Sequence, residues 1–350
     1  TLFALCVMLM TVHAATPQRL VVDAAAKGHP IANTMYGLFF EDINYAADGG
    51  LYAELVKNRS FDFDHPTLGW RLFGNVELCN DGPFERNPNY MRLRYSGHRD
   101  IHTGLENEGF FGIALKAGDE YRFSLWARSH GEAEQALSLN IVSDDYTLEN
   151  TVIKHVPVRI TSSEWRKYEV VFTAPATIRD GRLRLILEQP DPKQYSTTTG
   201  VDVEHISLFP VDTYRGEKNG LRKDLAEALA ALKPGIFRFP GGCIIEGTTL
   251  ETRYQWKNSV GPVENRPVNQ NRWHYTFRHR LFPDYYQSYG LGFYEFFCFA
   301  EQIGAEPLPV VSCGLACQFQ NDKTAHCSME ELQTYIDDAL DLIEFANGDP

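Results

Sequence analysis

The sequence has few of the features that mark several large protein classes. Its 350 residues include 33 Lys and Arg against 46 Asp and Glu, a net charge of −13, and no segment concentrates the basic residues. A phosphate backbone would be repelled, so nucleic acid is excluded as a partner. Seven cysteines are too few for a disulfide scaffold. No apolar run approaches the roughly 20 residues of a membrane helix, so no membrane span is predicted.

Several catalytic motifs are also missing. The sequence contains no G-x-S-x-G, H-E-x-x-H, G-x-G-x-x-G or P-loop motif, which removes support for Ser-triad hydrolases, zincins, dinucleotide enzymes and kinases. What it has is a globular composition, 43% hydrophobic and 13% aromatic. Aromatic rings fill cores first, but in an acidic protein they also suggest flat surfaces for carbohydrate.

The first residues, TLFALCVMLMTVHAA, are typical of a secretory signal peptide. About a dozen apolar residues precede small residues at Val12 and Ala14 that suit signal peptidase. We predict a signal peptide over residues 1–14, and therefore export to the periplasm, the cell surface or the medium. A buried helix is the alternative interpretation.

Hydrophobic periodicity divides the remaining chain into three parts. Residues 15–61 contain a short strand in RLVVDA and a buried strand in MYGLFFEDI. Residues 62–210 hold successive alternating segments separated by turns, which predicts an inserted antiparallel β-sandwich. Residues 211–350 alternate strand patterns with helices predicted over 220–233, 290–304 and 329–346.

This order of elements predicts an α/β fold class, with an incomplete (β/α)8 TIM barrel of about three βα units. A complete barrel needs about 250 residues, and the last helix is followed at once by a turn where the printed sequence stops. We therefore expect residues 211–350 to be the truncated N-terminal part of a barrel.

In such barrels, the catalytic and binding side chains lie at the C-terminal ends of the strands and in the loops that follow. The first strand ends at Glu41 and Asp42, which point to opposite sides, and Glu41 is the one we expect to face the site. The second strand carries Arg238 between apolar residues, so we expect it to pair with a carboxylate. Two glycines then allow a close backbone approach before Cys243, which we interpret as a small loop residue rather than a nucleophile.

Three further patterns are weaker. Trp256 lies in an amide-rich and aromatic-rich loop that suits a sugar face, but it could equally be a core residue. A cysteine and histidine cluster matches no usual zinc spacing, which argues against a metal site there and leaves a disulfide open; its members are Cys313, Cys317, His326 and Cys327. The triplet Asn58-Arg59-Ser60 fits a glycosylation acceptor, a match that often arises by chance.

Three long motifs carry a family likeness. In this order, MYGLFFEDINYAADGGLYAELVKNRSFDF, FRFPGGCIIEG and YQWKNSVGPVENRP resemble exported α-L-arabinofuranosidases of glycoside hydrolase family 51. The likeness covers nearly all of the chain after the leader. It includes the inserted domain, which is similar to carbohydrate-binding modules of xylan-degrading enzymes.

The resemblance implies retaining hydrolysis of terminal α-L-arabinofuranosyl groups of arabinoxylan, arabinan or related polymers, with no metal and no organic cofactor. It places the acid/base and the nucleophile after later barrel strands, beyond the C-terminal end of this sequence, so no catalytic residue is assigned. Its binding residues match Glu41, Cys243, Trp256 and Arg238. An arabinose-containing polysaccharide or oligosaccharide is the implied partner, and a homo-oligomer of the full-length protein is left open.

Two alternatives remain from the sequence. In one, the catalytic pair lies within these residues, with Glu41 and Glu246 on either side of the sugar. In the other, the protein is a truncated carbohydrate-binding protein that hydrolyses nothing.

Overall fold

The structure is a computed structural model that describes residues 19–349, except residue 99 and the segments 132–133, 144–150, 189–196, 275–284 and 319–324. The predicted signal peptide lies outside the described residues. Residues 19–32 belong to a separate unit, Thr1–Ala32, and form no helix or strand. The prediction of a strand in RLVVDA is therefore wrong. Its apolar side chains are exposed, and a short apolar run becomes a strand only where a neighbouring strand takes up its backbone hydrogen bonds.

The described part of the second unit, Asn33–Pro350, contains sixteen strands and four α-helices. The strands are β1 Gly37–Phe39, β2 Trp70–Phe73, β3 Asn75–Cys79, β4 Tyr90–Arg94, β5 Gly104–Asn107, β6 Ile113–Leu115, β7 Glu120–His130, β8 Gln135–Val142, β9 Thr151–Ile160, β10 Arg166–Thr173, β11 Ile178–Leu187, β12 Gly200–Pro210, β13 Ile236–Phe239, β14 Asn269–Gln270, β15 Tyr286–Gln287 and β16 Glu306–Pro309. The helices are α1 Lys223–Ala231, α2 Cys243–Glu246, α3 Phe293–Ile303 and α4 Leu332–Asn347. None of the described helices is long and apolar enough to cross a bilayer.

Strands β2 to β12 form two antiparallel sheets. One has the order β10-β7-β12-β4-β3, and the other has the order β2-β5-β11-β8-β9 with β6 also paired to β11. Alternate residues of both sheets point into one shared core, as expected when two amphipathic sheets pack face to face. The core also includes Val56 and Phe61, which precede the boundary predicted at residue 62.

Asp202 on β12 is a buried carboxylate with two arginine partners and a histidine partner. Its oxygens accept hydrogen bonds from Arg92 Nε at 2.8 Å and Arg128 Nε at 2.9 Å, and they lie 2.7 Å from His130 Nε2. Burial alone would raise the pKa of Asp202, but the hydrogen bonds from Arg92, His130 and Arg128 outweigh it and hold that pKa below its ordinary value. The ionised carboxylate therefore ties β4, β7 and β12 together.

Glu204, two residues along the same strand, has the opposite environment. Its side chain is fully buried and neither carboxylate oxygen has a hydrogen-bond partner. Burial, together with the charges of Asp62 and Glu264, raises the pKa of Glu204 well above its ordinary value. The carboxyl group is therefore neutral in the folded protein over much of the acidic range.

Strands β1, β13 and β16 form a separate parallel sheet in the order β1-β13-β16. One face packs on α3, where Phe237 and Phe239 contact the ring of Phe296, as does Phe40. The other face is open: Phe39 is 57% exposed and Leu308 is 46% exposed. The helices predicted over 220–233, 290–304 and 329–346 correspond to α1, α3 and α4.

We expect Asp202→Asn to lower the free energy of unfolding by about 2 kcal/mol or more, because two partly buried arginines, Arg92 and Arg128, lose their common anion. Urea denaturation followed by circular dichroism measures the change. The contribution of Asp202 should be present above its ordinary pKa and should disappear as the pH falls through its lowered folded-state pKa. An unchanged unfolding free energy at neutral pH would contradict this account.

Glu204→Gln on the same strand should be neutral or stabilising at pH 7, because it removes the cost of ionising a buried carboxyl group. Wild-type stability should fall as the pH rises from the ordinary pKa of glutamate towards the raised folded-state pKa, and the variant should lack this fall. Thermal melts across that pH range compare the two proteins. A large loss of stability in the variant at pH 7 would contradict this account, because it would show that the ionised Glu204 carboxylate stabilises the folded protein.

Candidate functional site

The candidate site lies where β1 and β13 end. Their register places Phe39 opposite Arg238, and beyond the strands the Asp42 amide donates to the Pro240 carbonyl at 3.3 Å. The turn after Pro240 passes close to Glu41. A Cβ on Gly241, which has a φ of 136°, would lie 2.5 Å from Glu41 Cγ. Only glycine allows both this backbone conformation and this approach.

Glu41 and Asp42 point to opposite sides, as the sequence predicts. Glu41 is half-buried on the same side as Arg238, and its buried Oε1 atom has no hydrogen-bond partner. Burial raises the pKa of Glu41, while the charge of Arg238 and the polar groups of the Trp273 side chain and the Ile244 backbone act to lower it. The site thus contains a carboxylate with an unused acceptor atom.

Asp42 anchors the surrounding loops. Its carboxylate accepts hydrogen bonds from the Tyr285 hydroxyl, from Gln287 Nε2 at 3.1 Å and from the Ala47 amide at 2.9 Å. Burial raises the pKa of Asp42 to about 6, against the lowering effect of the Tyr285 hydrogen bond. With its partners all from the protein, Asp42 is a structural group that holds the β1 end against β15.

Arg238 lies on the open face of the sheet. Its guanidinium carbon is 4.3 Å from the centroid of the Phe39 ring, a cation–π contact that holds the side chain flat on the sheet. The carboxylate that it influences is Glu41, whose pKa it lowers through its charge.

Cys243 begins α2 and faces Cys317 from the loop after β16. Burial raises the pKa of Cys243 to about 11, and Cys317, Glu41 and Glu246 add to the rise. The thiol is therefore protonated at neutral pH, which fits a wall residue better than a nucleophile. The sequence cluster of Cys313, Cys317, His326 and Cys327 does not form a metal-binding group within the described residues, and no disulfide links the described cysteines.

Trp256 lies apart from these residues. It is 5% exposed, its Nε1 donates to the Asp338 carbonyl at 2.9 Å, and its ring packs on Phe293 and Phe345. The structure thus favours the core role that the sequence left open. The aromatic residue beside Glu41 is Trp273, a half-buried residue that sequence reasoning passed over. Two residues earlier, Asn271 Nδ2 donates to the Asp42 carbonyl at 3.0 Å, which holds this loop at the end of β1. This contact joins residues far apart in the sequence, so no local pattern predicts it.

The triplet Asn58-Arg59-Ser60, which fits a glycosylation acceptor, has a structural role in the fold. Asn58 is buried, and its Nδ2 donates to the Pro66 carbonyl at 2.9 Å and the Leu68 carbonyl at 3.1 Å. The folded protein therefore does not present this amide for glycosylation.

Comparison with known proteins shows what the chain is similar to. The family model described as "Alpha-L-arabinofuranosidase 1 domain" matches residues 228–350, and "Carbohydrate binding domain" matches residues 53–193. The extracellular exo-α-L-arabinofuranosidase of Streptomyces chartreusis is 42% identical over 97% of this chain and 40% of its own length. Over nearly its whole length the chain is thus similar to part of an α-L-arabinofuranosidase.

Two other α-L-arabinofuranosidases extend the comparison. α-L-Arabinofuranosidase 1 of Arabidopsis thaliana is 35% identical over 94% of this chain and 47% of its own length. The solved structure of an arabinose-bound MgGH51 α-L-arabinofuranosidase is 28% identical, with a TM-score of 0.77 over 93% of this chain and 51% of that chain. The chain thus spans about half the length of the relatives that it matches.

The two tryptophans should respond differently to truncation. Trp256→Ala should lower the free energy of unfolding by about 3–5 kcal/mol, because it opens a large cavity and removes a hydrogen bond. Trp273→Ala should cost clearly less, because that ring is only half-buried. Urea denaturation of both variants provides the measurement, and equal losses would contradict the placement of these rings.

Proposed function

We propose that the protein removes terminal α-L-arabinofuranosyl groups from arabinose-containing polysaccharides or oligosaccharides, and that the residues around Glu41 bind the sugar. The names of the relatives support the reaction. The single observation that supports the role of this site is the buried Oε1 atom of Glu41, which has no hydrogen-bond partner.

An unpaired buried carboxylate oxygen is costly unless something satisfies it. A sugar presents several hydroxyl donors at fixed spacing, and a carboxylate accepts such donors strongly. Glu41 is therefore suited to hold hydroxyl groups, while the negative charge needed for this is favoured by Arg238. Trp273 and the Cys243 thiol supply apolar and weakly polar walls, which is the usual composition of a small-molecule pocket.

The parallel sheet supports a barrel as the catalytic scaffold. In the described part of the chain, β1 and β16 each pair on one side only, and the face opposite α3 exposes Phe39 and Leu308. Further parallel strands would pair these edges and enclose this face as the barrel interior. We infer that the three strands belong to a (β/α)8 barrel, with the sandwich inserted between β1 and β13.

We infer a retaining mechanism with two carboxyl groups about 5–5.5 Å apart, one protonating the leaving oxygen and the other attacking the anomeric carbon. We assign neither role to a described residue and propose that both groups come from outside this sequence. The alternative pair, Glu41 with Glu246, has less support, because Glu246 lies against the thiols of Cys243 and Cys317.

We further propose that the protein is exported and acts on polymeric substrates. The extracellular relative and the apolar leader support export. The match of residues 53–193 to a carbohydrate-binding domain supports a polysaccharide partner. The same match favours a second candidate, a non-catalytic carbohydrate-binding protein, which would be retarded in an affinity gel containing arabinoxylan or arabinan and would release no arabinose.

In the full-length protein, Glu41→Gln should lower kcat/KM for p-nitrophenyl α-L-arabinofuranoside by about 10- to 100-fold, the effect of weakening hydrogen bonds to a charged acceptor. Most of the change should be a higher KM. The melting temperature should be unchanged or higher, because a buried carboxylate is removed. Glu301→Gln, an exposed residue on α3, is the matched control and should behave as wild type.

Complete loss of kcat in Glu41→Gln with an unchanged KM would instead assign Glu41 to the catalytic pair. Wild-type kinetics in this variant would remove Glu41 from the sugar site. Absence of any hydrolysis by the full-length wild type would favour the non-catalytic candidate.

The stereochemistry is tested separately by proton NMR of the first-formed product. We expect the α-anomer of arabinose to appear first and to mutarotate afterwards, because two successive displacements restore the starting configuration. Initial formation of the β-anomer would indicate an inverting mechanism.

A further inference from the structure

A tight turn of the sandwich lies against the loop that follows Glu41. Residues 109–112 join β5 to β6 with the sequence Gly-Phe-Phe-Gly, and they are here called the phenylalanine turn. The Gly112 amide donates to the Glu108 carbonyl at 3.1 Å, which closes the turn. Both glycines have a positive φ, 65° at Gly109 and 96° at Gly112, a conformation that glycine adopts without strain. The turn therefore has a defined shape.

The two phenylalanines of this turn have different surroundings. Phe110 is half-buried and anchors the turn, because a Cβ on Gly49 would lie only 2.3 Å from the Cγ atom of its ring. Phe111 is 56% exposed and has a φ of 63°, a conformation that bulky residues rarely adopt. Strained residues of this kind concentrate at binding and catalytic sites. The exposed ring of Phe111 is thus a candidate for contact with a ligand.

Tyr45 connects the phenylalanine turn to the loop after β1. Its ring meets Phe110 and Phe111 edge-on, with centroids 5.6 and 5.3 Å apart. Its own φ is 61°, and its amide donates to the Tyr285 hydroxyl at 2.8 Å. Because the same hydroxyl bonds the Asp42 carboxylate, the phenylalanine turn is fixed relative to the end of β1.

The phenylalanine turn borders a cleft of about 170 Å³ that Tyr45, Lys57 and Glu108 also line. Lys57 Nζ and Glu108 Oε1 lie 3.6 Å apart and carry opposite charges, so the cleft favours a ligand without net charge. The ammonium group donates hydrogen bonds and the carboxylate accepts them, which suits hydroxyl groups. The exposed Phe111 ring offers a flat apolar face for the C–H face of a sugar ring. Pockets for drug-sized ligands measure roughly 300–1,000 Å³, so this smaller cleft suits a single sugar ring.

We propose that the phenylalanine turn binds one neutral sugar ring of the polysaccharide chain, beyond the terminal arabinofuranosyl group that Glu41 holds. This inference rests on the proposed function for the identity of the polymer. The cleft is a separate place of contact, because Arg238, Cys243 and Trp273 of the proposed sugar site do not line it. The inserted sandwich thereby holds the polymer close to the loop that follows the first parallel strand.

The full-length protein and its Phe111→Ala variant test this proposal on arabinoxylan. The variant should show a KM for arabinoxylan about 5- to 20-fold higher with kcat within about 2-fold, because it loses an aromatic contact made equally before and during the reaction. The inhibition constant of free L-arabinose against hydrolysis of p-nitrophenyl α-L-arabinofuranoside should be unchanged, because a single sugar fills only the site around Glu41.

Two further variants serve as controls. Phe111→Trp keeps an aromatic ring at the same position and should retain the wild-type KM for arabinoxylan. Tyr294→Ala removes an equally exposed ring, 57% exposed on α3, and should behave as wild type. All three variants should melt close to the wild-type temperature, because each changes an exposed side chain.

Affinity electrophoresis in gels that contain arabinoxylan provides a readout that requires no hydrolysis. Phe111→Ala should lose most of the retardation that the wild type shows. If the wild type hydrolyses nothing but is retarded through Phe111, the proposed reaction fails and the binding role of the turn is supported. The inference is overturned if Phe111→Ala matches the wild type in both KM and gel mobility. It is also overturned if Tyr294→Ala has the same effect, or if Phe111→Trp is as impaired as Phe111→Ala.

Discussion

The parallel pairing of β1 with β13 determines where each side chain of the site lies. Its register places Phe39 opposite Arg238 and carries Glu41 to the turn at Gly241. A shift of one residue would turn Glu41 towards α3 and Asp42 towards the open face. The register is held by the phenylalanine rings between the sheet and α3, above all Phe239 stacked 4.9 Å from Phe296. Apolar packing on one face of the sheet thus positions the polar groups on the other.

Buried charge is used in two different ways in this molecule. Asp202 in the sandwich has its partners supplied by the protein and strengthens the domain. Glu41 keeps an unpartnered oxygen at the strand end. A protein tolerates such a group where a ligand satisfies it, so the unsatisfied carboxylate marks the site more clearly than the shape of the surface does. Glu204 is a third case, in which burial removes the charge itself.

Local patterns in the sequence predicted most of the elements and suggested one side of the proposed site. Alternation along β7 and β12 indicated the sandwich, and the helical periods of α1, α3 and α4 were clear. The strand-end rule, that neighbouring side chains point to opposite sides, predicts different environments for Glu41 and Asp42, and in the structure Glu41 is half-buried whereas Asp42 is buried. The strand in RLVVDA failed because an apolar run does not reveal whether a partner strand exists.

The long-range contacts of the tryptophan and cysteine side chains could not be predicted from the sequence. Trp256 and Trp273 lie in the same kind of loop, but Trp256 packs against α4 as a core residue, whereas Trp273 lies beside Glu41. The meeting of Cys243 with Cys317 was equally hidden, because 74 positions separate them in the numbering and the contact depends on a backbone hydrogen bond to Gly247. Spacing along the chain instead grouped Cys317 with Cys313, His326 and Cys327, which form no metal-binding group among the described residues.

The most direct test of the central claim is a crystal structure of the full-length protein with L-arabinose. The account predicts a sugar hydroxyl within about 2.6–3.2 Å of Glu41 Oε1, with the ring beside Trp273 and the Cys243 thiol. A sugar bound elsewhere, with Glu41 Oε1 still unpaired or bonded to a protein group, would contradict it.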